Sequence, residues 1–165
     1  MRRVCLIAVF ALAGCGLFGG GDEGTSELPA ALTEFDPTLT VRKLWSASMG
    51  GDAKALRLGL SPATDGARIF VGSHNGQAAA FDAGSGQRHW AVRTELALAA
   101  GPSYGDGIVV FGTSDGELLA LDAETGQERW LQEVGGEVLA PPSIGSSVVV
   151  VRTVDGRLRG FSVDD

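Results

Sequence analysis

The chain has 165 residues, a net charge of −7 from 13 basic and 20 acidic side chains, 25 glycines and 44% hydrophobic residues. That hydrophobic share is too high for a disordered chain, and an acidic chain with no basic block lacks the Lys and Arg that displace counterions from phosphate backbones, so no nucleic-acid partner is expected. The two cysteines, Cys5 and Cys15, both lie near the start, which leaves the body of the chain without a disulfide framework or a cysteine-ligated zinc site.

Met1-Arg2-Arg3 is basic, and Val4 to Leu12 is apolar and uncharged. The apolar run is too short to cross a hydrocarbon core as a helix, which takes about 20 residues, so residues 1–14 read as a secretory signal. Leu12-Ala13-Gly14-Cys15 resembles the lipobox of bacterial lipoproteins, where small side chains suit a peptidase groove and a thiol is the nucleophile for lipid transfer. The resemblance implies cleavage before Cys15, a diacylglycerol on its sulfur and an acyl chain such as palmitate on its new amino group. Gly16, not aspartate, follows Cys15. In lipoproteins of enterobacterial type aspartate at that place retains the protein at the inner membrane, so the expected destination is the outer membrane, on its periplasmic face. Losing Arg2 and Arg3 with the signal leaves 11 basic against 20 acidic residues, a net −9. Residues 15–37, with Gly19-Gly20-Gly21-Asp22-Glu23-Gly24, Pro29 and Pro37, show no sustained apolar period and read as a lipidated cysteine followed by a flexible tether with a reach of roughly 25 Å.

From residue 38 to residue 165 the pattern changes. A lead-in strand is expected over 41–48, carrying Trp45. Beyond it Pro62, Gly72, Gly76, Ala80, Asp82, Gly86, Gln87 and Trp90 recur 40 residues later as Pro102, Gly112, Gly116, Ala120, Asp122, Gly126, Gln127 and Trp130, and a third copy starts at Pro142 with Asp155-Gly156. In the second copy Gly107 to Thr113 is an apolar, β-branched run. Ser114-Asp115-Gly116 then predicts a hairpin with a type I′ turn, Glu117 to Asp122 the returning strand, Gln127 to Glu133 the outer strand, and Val138 to Ile144 the next inner strand. Four short strands per forty residues, with no helical period, describe a blade of a β-propeller. The expected fold is therefore all-β, with blade 1 at about 58–93, blade 2 at about 97–133 and an incomplete blade 3 at about 137–163. That amounts to two and a half to three blades, the first part of a larger ring.

Ala120-Leu121-Asp122-Ala123-Glu124-Thr125-Gly126-Gln127-Glu128-Arg129-Trp130 resembles the tryptophan-docking motif A-x-D-x-x-T-G-x-x-x-W of pyrroloquinoline-quinone-type propellers. Residues 80–90 repeat it with Ser85 for threonine. Asp82 and Asp122 are expected to accept hydrogen bonds from turn N–H groups, Gly86 and Gly126 to relieve strain at the bend, and Trp90 and Trp130 to pack as apolar plates on an adjoining blade. Together with the lipobox and the tether, these repeats resemble the outer-membrane protein assembly factor BamB family, eight-bladed lipoprotein propellers. The resemblance implies a non-catalytic scaffold without a cofactor or metal. Its implied partners are the periplasmic domains of the central β-barrel insertase, other assembly lipoproteins and unfolded outer-membrane proteins, with the membrane engaged through the lipid. Two other readings stay open: a lipid-anchored propeller binding another envelope protein or glycan, and a truncated quinone-dependent dehydrogenase. The dehydrogenases commonly carry a vicinal cysteine pair that the mature body lacks.

The remaining candidates carry little chemistry. His74 and His89 become Ser114 and Arg129 in the next repeat and are expected to be surface histidines. Asp115-Gly116 and Asp155-Gly156 are expected as turns, not calcium ligands. No Ser-His-Asp set, phosphate loop or nucleotide fingerprint is present.

Overall fold

The structure, a computed structural model, describes residues 38–50 and 58–164, together with Ala31, Thr33 and Asp36. Residues 1–14, read from the sequence as a secretory signal, Cys15 and most of the expected tether to residue 37 lie outside the described residues.

Among the described residues twelve strands form three sheets. Blade 1 is built from β2 (Ala63–Thr64), β3 (Arg68–Gly72), β4 (Gln77–Asp82) and β5 (Arg88–Arg93), paired antiparallel in chain order. Blade 2 is built from β6 (Leu98–Gly105), β7 (Ile108–Thr113), β8 (Glu117–Asp122) and β9 (Glu128–Glu133). Blade 3 comprises β10 (Ser143–Gly145), β11 (Val148–Arg152) and β12 (Leu158–Ser162). The short β1 (Gly59–Leu60) pairs in parallel with Ala100 and Gly101 of β6, lacing the inner rim of blade 1 to that of blade 2.

Side chains alternate between faces along a strand, and blade 2 is buried on both. Its run Ile108-Val109-Val110-Phe111 divides accordingly. Val109 and Phe111, with Leu119 and Leu121, meet Phe70, Ala78, Ala80 and Trp90 of blade 1, while Ile108 and Val110, with Leu118 and Ala120, meet Val149 and Val151 of blade 3. A continuous apolar strand, as opposed to an alternating one, is what such a sandwiched sheet requires.

Three sequence expectations are corrected. The segment 41–48 forms no strand. An outer strand needs a third strand to pair with, and the described residues before blade 1 supply none. The inner strand of blade 3 is confined to Ser143–Gly145 instead of Val138 to Ile144, because Pro141 and Pro142 have no N–H to donate to a ladder; Val138 instead donates its N–H to the Thr113 carbonyl at 3.1 Å. The turn at Asp115-Gly116 is not type I′. Three residues separate β7 from β8, and of these only Gly116 has positive φ, +86°, the geometry of a type I turn closed by a left-handed residue. The two-residue loop lies one hairpin earlier. Asp106 and Gly107 have φ of +48° and +79°, joining Gly105 and Ile108, which face each other across the ladder. Ser146 and Ser147, at +52° and +62°, take the same place in blade 3.

Candidate functional site

The residues singled out by the repeat assemble into docking stations between successive blades. In blade 1, Asp82 Oδ1 accepts from the Gly84 N–H (3.1 Å), the Ser85 N–H (2.7 Å) and the Ser85 hydroxyl (2.7 Å). In blade 2, Asp122 Oδ1 accepts from the Glu124 N–H (3.0 Å), the Thr125 N–H (2.9 Å) and the Thr125 hydroxyl (2.9 Å). The backbone closes around each carboxylate: the Asp82 N–H donates to the Gln87 carbonyl and the Asp122 N–H to that of Gln127, both at 2.7 Å. Donors aimed at a carboxylate favour its charged form. Asp82 is held below the ordinary carboxylate range, first by the Ser85 hydroxyl and then by the Ser85 and Gly84 N–H groups. Asp122 is lowered chiefly by the Thr125 N–H, against the opposing effect of burial.

The tryptophan that completes each station comes from the preceding blade. Trp90 lies over the turn of blade 2 and donates its indole N–H to the Ala123 carbonyl at 3.0 Å, and a Cβ on Gly126 would come within 2.6 Å of the Trp90 ring. Trp130 donates to the Val163 carbonyl of blade 3 at 2.8 Å. Each sequence motif is thus split across an interface: Asp122 and Gly126 receive Trp90, while their own Trp130 reaches onward. Trp45 fills the first station. Its indole N–H donates to the Ala83 carbonyl at 2.9 Å, and its ring stands 2.6 Å from where a Gly86 Cβ would be. In blade 3 the departure from the motif is conservative in geometry, since the Ser162 hydroxyl accepts from the Asp164 N–H at 3.1 Å, where Asp122 accepts from Glu124.

The repeat did not point to a second group that the structure places at the same interface. Arg68 makes a 2.7 Å ion pair with Asp65 of its own blade, reaches across to donate to the Ala123 carbonyl at 2.8 Å, and pairs with Glu124 at 2.9 Å. Its guanidinium carbon lies 5.3 Å from the centre of the Phe70 ring, which itself stacks on Tyr104 at 5.4 Å. Burial works to raise Asp65, but donation from the Arg68 backbone and side chain outweighs it and the carboxyl is lowered. One signal was available: forty residues on, the position of Arg68 is Ile108, so a charge stands where the next repeat is apolar.

His74 Nδ1 lies 2.9 Å from the Leu98 carbonyl, so it pins a hairpin of blade 1 to blade 2; His89 is exposed. Among the described residues no group of three or more His, Cys, Asp or Glu is placed to hold a metal ion. Cys15 lies outside the described residues. The chemistry of the stations is architectural: they join consecutive blades at a fixed offset and present the turns and loops at the blade ends.

The sequence that builds these stations matches a known family. The model described as outer membrane protein assembly factor BamB matches residues 30–97 and 74–165. The chain belongs to the BamB family. The assembly factor BamB of Alkalilimnicola ehrlichii is 43% identical over 102 residues, 62% of this chain and 24% of that protein, and that of Bordetella pertussis is 34% identical over 98 residues, 59% of this chain and 24% of that protein. The chain therefore spans about a quarter of the length of these BamB relatives. The crystal structure of BamB from Moraxella catarrhalis superposes with a TM-score of 0.60 at 30% identity, covering 66% of this chain and 34% of that one. A europium-containing methanol dehydrogenase superposes at 0.58 with 21% identity, covering 74% of this chain and 25% of the enzyme, a likeness of fold alone.

Proposed function

We propose that this chain acts as a lipid-anchored scaffold on the periplasmic face of the outer membrane, where it aids the assembly of β-barrel proteins. The observation that carries the reading is the family match across residues 30–97 and 74–165, with relatives named as assembly factors at identities of 34–43%. The quinone-type dehydrogenases share the blades at 20–21% identity, a level that supports the fold and not the reaction, so the reading is a binding role and not an enzymatic one. A lipid on Cys15 and the tether to residue 37 place the blades just off the membrane. The turns and inter-blade loops then face the partners: the periplasmic domains of the central barrel insertase, other assembly lipoproteins and unfolded barrel proteins.

Cross-linking in intact outer membranes tests the partner. The barrel insertase is expected in the cross-linked product, and its absence under conditions that trap other neighbours counts against the reading. Cys15→Ala tests the anchor. It is expected to abolish acyl labelling and release the protein into the periplasm, and unchanged membrane fractionation would overturn that part.

A further inference from the structure

A side chain that the blade architecture needs recurs from repeat to repeat, whereas one that serves a ligand has no reason to. The β3–β4 hairpin and the β5–β6 loop break the repeat together. His74, Asn75, Arg93, Glu95, Leu96 and Ala97 line a shallow cavity of about 280 Å³ there. Forty residues on, the same places hold Ser114, Asp115, Glu133, Gly135, Gly136 and Glu137. All six differ, and the polarity reverses. The second repeat has three carboxylates and no cation, while the first has a guanidinium, an imidazole, an amide and one carboxylate, on a chain with 20 acidic residues against 13 basic ones. The solvent access of Arg93 does not depend on what stands before blade 1. Its counterpart Glu133 is also exposed, although it shares with Leu119 and Leu131 the face of blade 2 turned toward blade 1.

Existing hydrogen bonds fix which atoms a ligand would meet. His74 Nδ1 lies 2.9 Å from the Leu98 carbonyl. A carbonyl only accepts, so Nδ1 carries the proton of the neutral ring and Nε2 is left as an acceptor. Asn75 Oδ1 accepts from the Ser73 hydroxyl, which leaves the amide nitrogen to donate. Arg93 meets Glu95 Oε1 through Nε at 3.2 Å, which orients the guanidinium and leaves its two terminal amino groups for another acceptor. Glu95 does so from left-handed backbone, φ +58°, at the place where the next repeat has Gly135 at +74°. Only glycine adopts that conformation without cost, and backbone strain of this kind collects at binding sites.

We propose that this cavity binds the carboxylate of an aspartate or glutamate in an exposed stretch of a partner polypeptide. The terminal amino groups of Arg93 and the amide of Asn75 donate to the carboxylate, the two-donor fork being the geometry that a carboxylate fits best. His74 Nε2 accepts an N–H from the partner main chain beside it, and Leu96 gives the partner side chain an apolar wall. The volume lies just under the roughly 300–1,000 Å³ of small-molecule sites, which suits one side chain and not a whole ligand. The corresponding place in the second repeat, with Asp115, Glu133 and Glu137, repels the same group. An acidic partner segment is therefore registered on the junction of blades 1 and 2 and turned away from the next one.

Two-dimensional amide NMR of the full chain in detergent micelles, titrated with the capped peptide acetyl-Gly-Asp-Gly-amide, tests the site. Saturating shifts are expected at residues 74–75, 93 and 95–97. The uncharged acetyl-Gly-Asn-Gly-amide is expected to bind about tenfold or more weakly. Sodium acetate, which lacks the neighbouring N–H, is expected to bind about fivefold more weakly. Arg93→Glu installs the residue of the next repeat at an exposed place and is expected to weaken the aspartate peptide about tenfold or more. Asn75→Asp, also the residue of the next repeat, is expected to weaken it as well, and it decides the matter if Arg93→Glu fails to fold. The proposal is overturned by shifts that never saturate or that centre on residues 114–115 and 133–137. It is equally overturned by equal binding of the two peptides, by acetate binding as tightly as the aspartate peptide, or by variants that bind like the wild type. None of these outcomes depends on the assembly-factor reading, which the insertase cross-link tests separately.

Discussion

The indole N–H of Trp90 donates to the Ala123 carbonyl at 3.0 Å across the boundary between blades 1 and 2. The same oxygen accepts from Arg68 at 2.8 Å, so one carbonyl in the turn of blade 2 gathers two donors from blade 1. Its counterparts, the carbonyls of Ala83 and Val163, accept from Trp45 and Trp130. Blade 1 is therefore attached to blade 2 by a docking bond that the repeat supplies and by an ion-paired arginine that it does not.

Removing the plate is expected to cost more than removing the bond. Trp90→Ala leaves a cavity against Phe70 and the turn of blade 2, with an expected loss of about 3–5 kcal/mol. Trp90→Phe keeps most of the apolar area but forfeits the indole donor while Arg68 still serves the carbonyl, for a loss of about 1 kcal/mol. Trp45 is only half-buried, so Trp45→Ala is expected to fall below Trp90→Ala. Urea unfolding followed by tryptophan fluorescence ranks the three, and equal losses would mean the ring packing is not what holds the interface.

Two left-handed glycines separate backbone strain from crowding. Gly107 has φ +79° and nothing within 4 Å of where a Cβ would be, while Gly126 has φ +74° and the Trp90 ring at 2.6 Å. Gly107→Ala is expected to lose about 1 kcal/mol for the left-handed backbone alone. Gly126→Ala adds displacement of Trp90, for about 3 kcal/mol in all. Thermal melts of both variants decide it, and comparable melting temperatures would show that the ring yields freely.

Arg68 and Asp65 side chains are 13% and 9% exposed. Arg68→Ile leaves Asp65 without its ion-pair partner and should destabilise the chain by about 1–3 kcal/mol. The next repeat has already replaced this pair, with Gly105 and Ile108 at the corresponding places. The double variant Asp65→Gly/Arg68→Ile removes both charges together and is expected to recover most of the loss. A double-mutant cycle in urea measures the coupling, and additive losses would show that the two side chains act independently.

The forty-residue spacing alone revealed the blades, the strands β7, β8 and β9, and the Asp-to-Gly turns, because each depends on contacts within one repeat. What lay hidden depends on contacts between repeats. The motif Asp122 to Trp130 reads as one unit in the chain, yet Trp130 leaves it for Val163 and Trp90 arrives from 33 residues before Ala123. The role of Trp45 was obscured for the same reason, since its station is the turn of blade 1 and no local motif surrounds it. The type I′ turn was sought at Asp115-Gly116 and found at Asp106-Gly107: both have the sequence, and loop length, set by how the strands pair, chooses between them.

Acid should loosen the stations through their aspartates. Asp122 is lowered from the ordinary value of 3.8, first by the Thr125 N–H and with further help from the Thr125 hydroxyl, the Glu124 N–H and Arg129. Asp82 is lowered from the same value by the Ser85 hydroxyl, then the Ser85 and Gly84 N–H groups. A carboxyl with a lower pKa in the folded state binds fewer protons there than when unfolded, so its contribution is whole above 3.8 and is lost as the pH falls through the folded value. The urea midpoint is therefore expected to hold steady above that value with respect to these groups and to decline below it. Asparagine keeps one oxygen to accept the turn N–H groups but carries no charge. Asp82→Asn/Asp122→Asn should consequently start from a lower midpoint at neutral pH and fall less steeply in acid. Midpoints recorded from neutral pH to about pH 2 provide the comparison; parallel curves for variant and wild type would mean that other carboxylates drive the acid transition.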